Sequence, residues 1–509
     1  MVYFGPSRGC ETCKKRRKKC DETRPSCLRC LNTNRVCRGY EAHANGNLVF
    51  RQHDQRPPTE QTHALPFNPM ARKCSLPARV PGPGSSMLPP DILPKEVPRE
   101  IMEECVLRAF FYDFCMVPIN PTLSRGFLGG LEQMVHRLGM QSQLAKACMA
   151  VGYASHGVKL FRPFLVQKAE ELYHELLRSL VQALRNPHEI NMEETAVMAV
   201  LLGLYEMVKA HDTAPGNHAA HAGGLAALLR IENNPLSLLE AVCSGRSPLR
   251  NSLRGQGMFS IICSHGRGKD IDILLLRFQS ICRTSEIILS DSLLHNTERL
   301  QTLLSEASAL NTDIAQWQEA QNDKFKPTTT GHIRTDYSSS RQFCPAVGRW
   351  PGRVDVYFDL YFATIWNISR TARCFLLDLI IRLSEILETE PPDHHEPQTS
   401  DLMNQLSDII ASTPYFLSED VQAFLRDDAS HGISNPGRTA GGLLLMHQLY
   451  ALSKLPMVFP EMRDYFKRCL AWIGERMGVG QASLFAKDSN ISTDYVTSGR
   501  VIIWAALLV

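Results

Sequence analysis

Cys10-Glu11-Thr12-Cys13-Lys14-Lys15-Arg16-Arg17-Lys18-Lys19-Cys20 and Cys27-Leu28-Arg29-Cys30-Leu31-Asn32-Thr33-Asn34-Arg35-Val36-Cys37 are two copies of one pattern, C-x2-C-x6-C, joined by residues 21–26. A C-x2-C step lets two thiolates reach one ion from a tight turn, and structural zinc takes four ligands in a tetrahedron. One ion would leave two of the six sulfurs idle. Two ions offer eight positions, which six sulfurs fill when two of them bridge. The duplicated spacing therefore predicts a binuclear cluster holding two Zn2+, with Cys10, Cys13, Cys20, Cys27, Cys30 and Cys37 as ligands. A knot of three disulfides would need a secreted chain, and the opening residues carry no apolar stretch of secretory-signal length.

Charge surrounds this cluster unevenly. Residues 1–40 hold eleven Lys and Arg against three Asp and Glu, a net +8. The whole chain carries +3, so the other 469 residues carry −5. A cationic head on a mildly acidic body points to a polyanionic partner for the head alone. The first x6 gap, Lys14, Lys15, Arg16, Arg17, Lys18 and Lys19, is six cations in succession, whereas the second holds only Arg35. Offsetting the formal −2 of two Zn2+ and six thiolates would not need such asymmetry. The six cations are the predicted DNA-binding residues. On a short helix they would point all around, some to phosphates and others to base edges in the major groove.

Outward from the cluster the character changes. Residues 39–98 are expected to be a disordered linker, since eleven prolines fall between positions 41 and 98. The prolines also rule out a coiled coil directly after the cluster. From position 99 to 486 the pattern is helical. Leu165, Ala169, Leu172, Leu176, Leu180 and Leu184 recur at three- and four-residue steps between Lys168, Glu171, Glu175 and Arg178. Similar periodicity runs through 194–209, 225–231, 355–387, 402–412 and 441–473, while 316–353 reads as an exposed loop. The predicted fold class is a small zinc-stabilised module (8–38), a Pro-rich linker and a large all-α domain, with a tail over 487–509. The ten cysteines outside the cluster are expected to be small buried hydrophobes. No stretch approaches the length of a membrane span; the longest apolar runs, around 198–208 and 501–509, read as buried helix, and the chain is read as soluble and intracellular.

These residues resemble the fungal binuclear zinc cluster (Zn2Cys6) transcription factors. The family signature sets basic residues where Lys14, Arg16, Arg17 and Lys19 stand, followed by Cys20-Asp21. The resemblance implies that Cys10 and Cys27 bridge the two ions. It also implies that Arg16 and Arg17 contact bases, commonly in CGG triplets. Trp366-Asn367 with Arg370 and Arg373, residues 408–415, and His221-Ala222-Gly223-Gly224 are similar to segments of the fungal-specific regulatory domain.

The expected function is thus sequence-specific transcription regulation at RNA polymerase II genes, in the nucleus, on double-stranded DNA. A nuclear zinc module contacting RNA or a protein instead is the alternative. Nucleophile-elbow, H-E-x-x-H and Walker patterns are absent, so no enzyme is expected. The partners left open are a homodimer through the helical domain and a small-molecule effector held there; no membrane partner is expected. His211, His218 and His221 lack a carboxylate or cysteine at ligand spacing and are read as structural, and Gly223-Gly224 as a site of close helix packing.

Overall fold

The computed structural model describes residues 10–37 except 17, 22, 24, 25 and 34. It also describes 99–507 except 121, 122, 125, 186–191, 232–270, 291–295, 335–343, 388–395, 428–431 and 488–490. The expected linker, 39–98, lies outside these residues. The chain divides into two compact units, residues 1–77 and 78–509. The first is the cysteine module; the second is largely helical, as its periodicity predicts.

In the second unit the amphipathic stripe of the helix Pro163–Arg185 faces inward, with Leu165, Ala169, Leu172 and Leu176 buried. Two helices are buried on every side and form the centre: Leu360–Leu387 along most of its length and Thr439–Ser453 throughout. Gly441 is needed there, because a Cβ at this position would lie 2.0 Å from the Phe416 carbonyl oxygen. The remaining helices, among them Gln143–Lys159, Met192–Lys209, Glu396–Leu417 and Pro460–Met477, pack around this pair.

The helix Leu360–Leu387 buries a polar seam that must be satisfied internally. Asn367 Nδ2 donates to Ser412 Oγ at 2.8 Å, and Arg370 Nη1 donates to Tyr357 Oη at 2.6 Å. Arg373 donates to Asn311 Oδ1 and Gln318 Oε1 and pairs with Asp401. The residues that resemble the regulatory domain are thus the polar clamps between this helix and the helices Thr297–Glu319 and Glu396–Leu417.

Four sequence expectations are corrected. Within 316–353 the chain is not all loop: Thr328–Ile333 pairs antiparallel with Gly352–Val356, Thr328 opposite Val356. A β-branched threonine run and an alternating Gly-Arg-Val-Asp-Val segment favour that pairing, and Asp355 belongs to the strand rather than to the following helix. The final apolar run is helical, as read, but the span around it is no tail. Thr493–Ala506 is a helix whose Ile502 packs against Gly203, where a Cβ would approach Ile502 Cδ1 to 2.6 Å, and the Ala506 carbonyl accepts the Leu128 N–H at 2.8 Å. Among the described residues nothing lies within 4 Å of a Cβ built on Gly223 or Gly224, so the close helix packing expected there is not seen. Cys344 is exposed, whereas Cys115, Cys148, Cys374 and Cys469 are buried; Cys74, Cys243 and Cys263 lie outside the described residues.

The histidines have structural partners. His218 Nε2 meets the Tyr495 carbonyl oxygen at 2.8 Å and His221 Nε2 meets Tyr173 Oη at 3.0 Å, while His211 is exposed.

Candidate metal centre and nucleic-acid interface

Each C-x2-C step opens a short helix. Glu11–Lys15 starts one residue after Cys10, and Leu28–Leu31 one residue after Cys27. In each half the first sulfur accepts the N–H of the second cysteine, Cys13 to Cys10 at 3.4 Å and Cys30 to Cys27 at 3.3 Å. The third sulfur then accepts the N–H of the first cysteine: Cys10 to Cys20 at 3.4 Å and Cys27 to Cys37 at 3.5 Å. The bonds of the second half thus repeat those of the first at a shift of 17 residues. The duplication in the sequence is therefore repeated in the local hydrogen bonds of the structure.

The sulfurs converge on the scale of a zinc tetrahedron. Two ligands of one ion, with Zn–S of about 2.3 Å, lie about 3.8 Å apart. Cys10 and Cys27 Sγ are 3.6 Å apart, Cys13 and Cys27 Sγ 3.7 Å, and Cys10 and Cys30 Sγ 3.8 Å. All sulfurs of Cys10, Cys13, Cys20 and Cys27 lie within 4.8 Å of one another, as do those of Cys10, Cys27, Cys30 and Cys37. Cys10 and Cys27 belong to both quartets. Among the described residues the buried core of this unit consists of the cysteines alone. Burial pushes the Cys10 thiol up to about 12, and Cys13 and Cys27 also upward. Neutral thiols would offer one another only weak hydrogen bonds, whereas divalent cations would stabilise them as thiolates. This donor set fits two zinc ions.

The halves are joined by contacts that spacing alone does not announce. Asp21, directly after Cys20, accepts the N–H of Leu28 at 2.9 Å and of Arg29 at 3.1 Å, capping the second short helix, and Thr23 Oγ1 donates to it as well. These bonds, that of Thr23 foremost, hold the Asp21 carboxyl far below the usual range. In return, Arg29 Nη1 donates to the Lys19 carbonyl oxygen at 2.9 Å. Thr12 Oγ1 ties the start of the module to the Val36 carbonyl oxygen at 3.1 Å. A carboxylate just before a cysteine-rich turn was the available signal for the cap; nothing in the sequence marks the Arg29 contact.

The basic run is not one helix. The helix ends at Lys15, Arg16 occupies a turn and Lys18 and Lys19 are non-helical. A helix continued from Cys13 to Cys20 would carry Cys20 about 10 Å along its axis, yet the two sulfurs lie within 4.8 Å of each other. The chain must therefore turn back, and the Lys18 N–H closes on the Cys13 carbonyl oxygen at 3.1 Å. Lys15, Lys18 and Lys19 are exposed and Arg16 is half-buried. Lys14 lies on the helix, and Arg17 lies outside the described residues.

Residues 8–46 match the model of the fungal Zn(2)-Cys(6) binuclear cluster domain. The chain is 48% identical over 425 residues to a protein of Emericella nidulans called transcription factor dbaG, covering 83% of this chain and all of that protein. It is 66% identical over 32 residues to the transcriptional regulatory protein moc3 of Schizosaccharomyces pombe, 6% of each chain. Over 56 residues it is 48% identical to the aspercryptin biosynthesis cluster-specific transcription regulator atnN of Emericella nidulans, 11% of this chain and 8% of that one. No solved structure matches.

Proposed function

The chain belongs to the fungal transcription factors with a Zn(2)-Cys(6) domain that binds two zinc ions, and from this premise we propose that it reads specific double-stranded DNA sites in the nucleus. The genes concerned would be those transcribed by RNA polymerase II. Cys13 and Cys20 would complete one ion's shell and Cys30 and Cys37 the other's, with Cys10 and Cys27 shared. The bound ions supply cross-linking and positive charge, and the protein supplies everything that meets DNA.

The supporting observation is that Lys15, Lys18 and Lys19 are exposed beside a core that, among the described residues, is made only of cysteines. Such a core has too little apolar area to hold a surface by hydrophobic burial, so the placement of Lys14, Lys15, Arg16, Arg17, Lys18 and Lys19 depends on the metal. Arg16 and Arg17 are assigned to base edges, matching guanines of CGG-type triplets, and the lysines chiefly to phosphates. The short helix enters the major groove with Lys14 and Lys15, and the turn that follows presents Arg16.

Random-site selection on the full chain tests this reading. An enriched motif is expected. Arg16→Ala should cost about 1–3 kcal/mol and relax preference at one position. Lys15→Ala should weaken all duplexes alike and reduce the salt slope by about 0.9. A selection without any enriched motif would overturn the proposal in favour of an RNA or protein partner. The helical body is assigned the regulatory role. Pairing of two copies through that body would give a site of two half-sites, and a monomer would give one, so the length of the selected motif distinguishes them.

A further inference from the structure

Two histidines from different helices bear on adjacent turns of the helix Thr493–Ala506. His218, which opens the helix His218–Ile231, is fully buried. Its Nε2 donates to the Tyr495 carbonyl oxygen at 2.8 Å, and its ring meets the Tyr495 ring edge to face, with centroids 4.3 Å apart. His447, buried in the central helix Thr439–Ser453, lies under Gly499, where a Cβ would approach its Nε2 to 2.7 Å. Tyr495 and Gly499 are about one turn apart, so the same face of the last helix rests on both rings.

Neither ring has a place for a second proton. His218 gives its one N–H to a carbonyl, and Nδ1 has no hydrogen-bond partner among the described residues. His447 Nε2 has none either. Both atoms are sealed from solvent while the last helix is in place. A proton added to either would be a buried donor without an acceptor and would bring a buried charge. Gln481, from the helix Gly480–Ala486, extends this polar seam. Both ends of its buried amide lack partners, its Nε2 would lie 3.3 Å from a Cβ on Gly499, and the neighbouring Tyr495 hydroxyl donates to the Pro215 carbonyl oxygen.

The charges around the seam do not relieve it. Arg500, on the last helix, and His218 both oppose a proton on His447; the titratable group beside Arg500 is Cys282, from the helix Ile271–Ser290. Glu206, from the helix Met192–Lys209, draws a proton toward His218 and His221, while His221 itself meets Tyr173 Oη at 3.0 Å. Burial outweighs Glu206 and holds His218 and His447 below the ordinary histidine range.

We propose that Thr493–Ala506 is a proton-released strap: protonation of His218 and His447 lifts it from the helical body and uncovers the apolar face carrying Val496, Ile502 and Ile503. Lifting gives water to His218 Nδ1, His447 Nε2 and the Gln481 amide. The lifted state then takes up protons in the ordinary range, and the closed state refuses them. The lifted fraction grows as the pH falls below about 6.5, by up to about tenfold per pH unit for each ring. Any effect of the uncovered face on transcription rests on the regulatory reading above. The release itself does not, and is measured without DNA.

Hydrogen exchange of the zinc-loaded full chain, read by mass spectrometry from about pH 7.5 to about pH 5.5, tests this, each rate being divided by the intrinsic rate at that pH. Protection of residues 493–506 should fall about tenfold or more, while that of Leu360–Leu387 holds. His218→Gln combined with His447→Gln should flatten the fall. His156→Gln, at a ring that faces Asp113 instead, should leave it as in the wild type. Protection of 493–506 that ignores pH, or that falls only in step with the whole body, would overturn the proposal without recourse to any variant. So would an unchanged fall in a folded double variant. A chain that binds its selected DNA site while its last helix is indifferent to acid would sink this inference and leave the DNA reading intact.

Discussion

At the scale of single residues, the cysteine count and spacing carried the most information. Six sulfurs in duplicated intervals imply two ions and sharing before any geometry is known, and the observed quartets share Cys10 and Cys27. The reciprocal grip of Asp21 and Arg29 was not legible, because it depends on where residues 19–21 and 28–29 meet in space. It fixes the backbone at Lys19, at the end of the basic run. Arg29→Ala should therefore weaken DNA binding several-fold with zinc content unchanged. Arg29→Gln, which keeps an N–H donor but no charge, should recover part of the loss if the contact to the Lys19 carbonyl is what matters. Equal loss in both variants, with a reduced salt slope, would instead make Arg29 a phosphate contact. Fluorescence anisotropy at several salt concentrations separates the outcomes.

At the scale of elements, periodicity located helices well and failed where tertiary geometry decides. The inward stripe of Pro163–Arg185 is the one its leucine spacing predicts. The basic helix came out shorter than six cations because Cys20 has to return to its quartet, a constraint that propensity does not contain. The hairpin at Thr328–Ile333 and Gly352–Val356 was hidden by the long connection between its strands, residues 334–351, which has no tight-turn signature to announce a pairing. Of the last helix, the apolar run from Val501 reads as buried helix in the sequence, whereas its polar first turns, from Thr493, give no face to recognise and fell in the expected tail. It now makes a definite demand: Ile502 fills the gap left by Gly203 and is fully buried. Ile502→Ala should destabilise the helical body by about 2–5 kcal/mol, and Ile502→Val by about 0.5–1.5 kcal/mol. Urea unfolding followed by circular dichroism measures both; a loss below 0.5 kcal/mol for Ile502→Ala would show the helix to be loosely held.

At the scale of the whole molecule, the two units are stabilised by different chemistry. One rests on thiolates and metal, the other on an extended apolar core with buried polar clamps. The core also buries histidines. Burial foremost, with Lys159 adding to it and Asp113 opposing, lowers His156 from 6.5 to about 4. The fold thus favours the neutral ring, while the unfolded chain takes up its proton in the ordinary histidine range. Stability is therefore full above about pH 6.5 and falls as the pH drops from there to about 4, by up to about 3 kcal/mol from this residue. His218, His221 and His447 shift in the same direction. Denaturant melts from pH 7 to pH 4 should show the decline, and His156→Gln should flatten part of it. An identical slope in that variant would assign the acid sensitivity to the other three.

The shared membership of Cys10 and Cys27 has a consequence for how the module is loaded. Occupying one quartet gathers two of the four ligands of its neighbour at the right separation, so the second uptake begins half-built. Loss runs the same way: stripping either vacates a wall of the other. Intermediate stoichiometry is penalised from both directions, and the module should behave as a binary device, empty or full, with scarcity of metal setting the fraction of competent molecules rather than the competence of each.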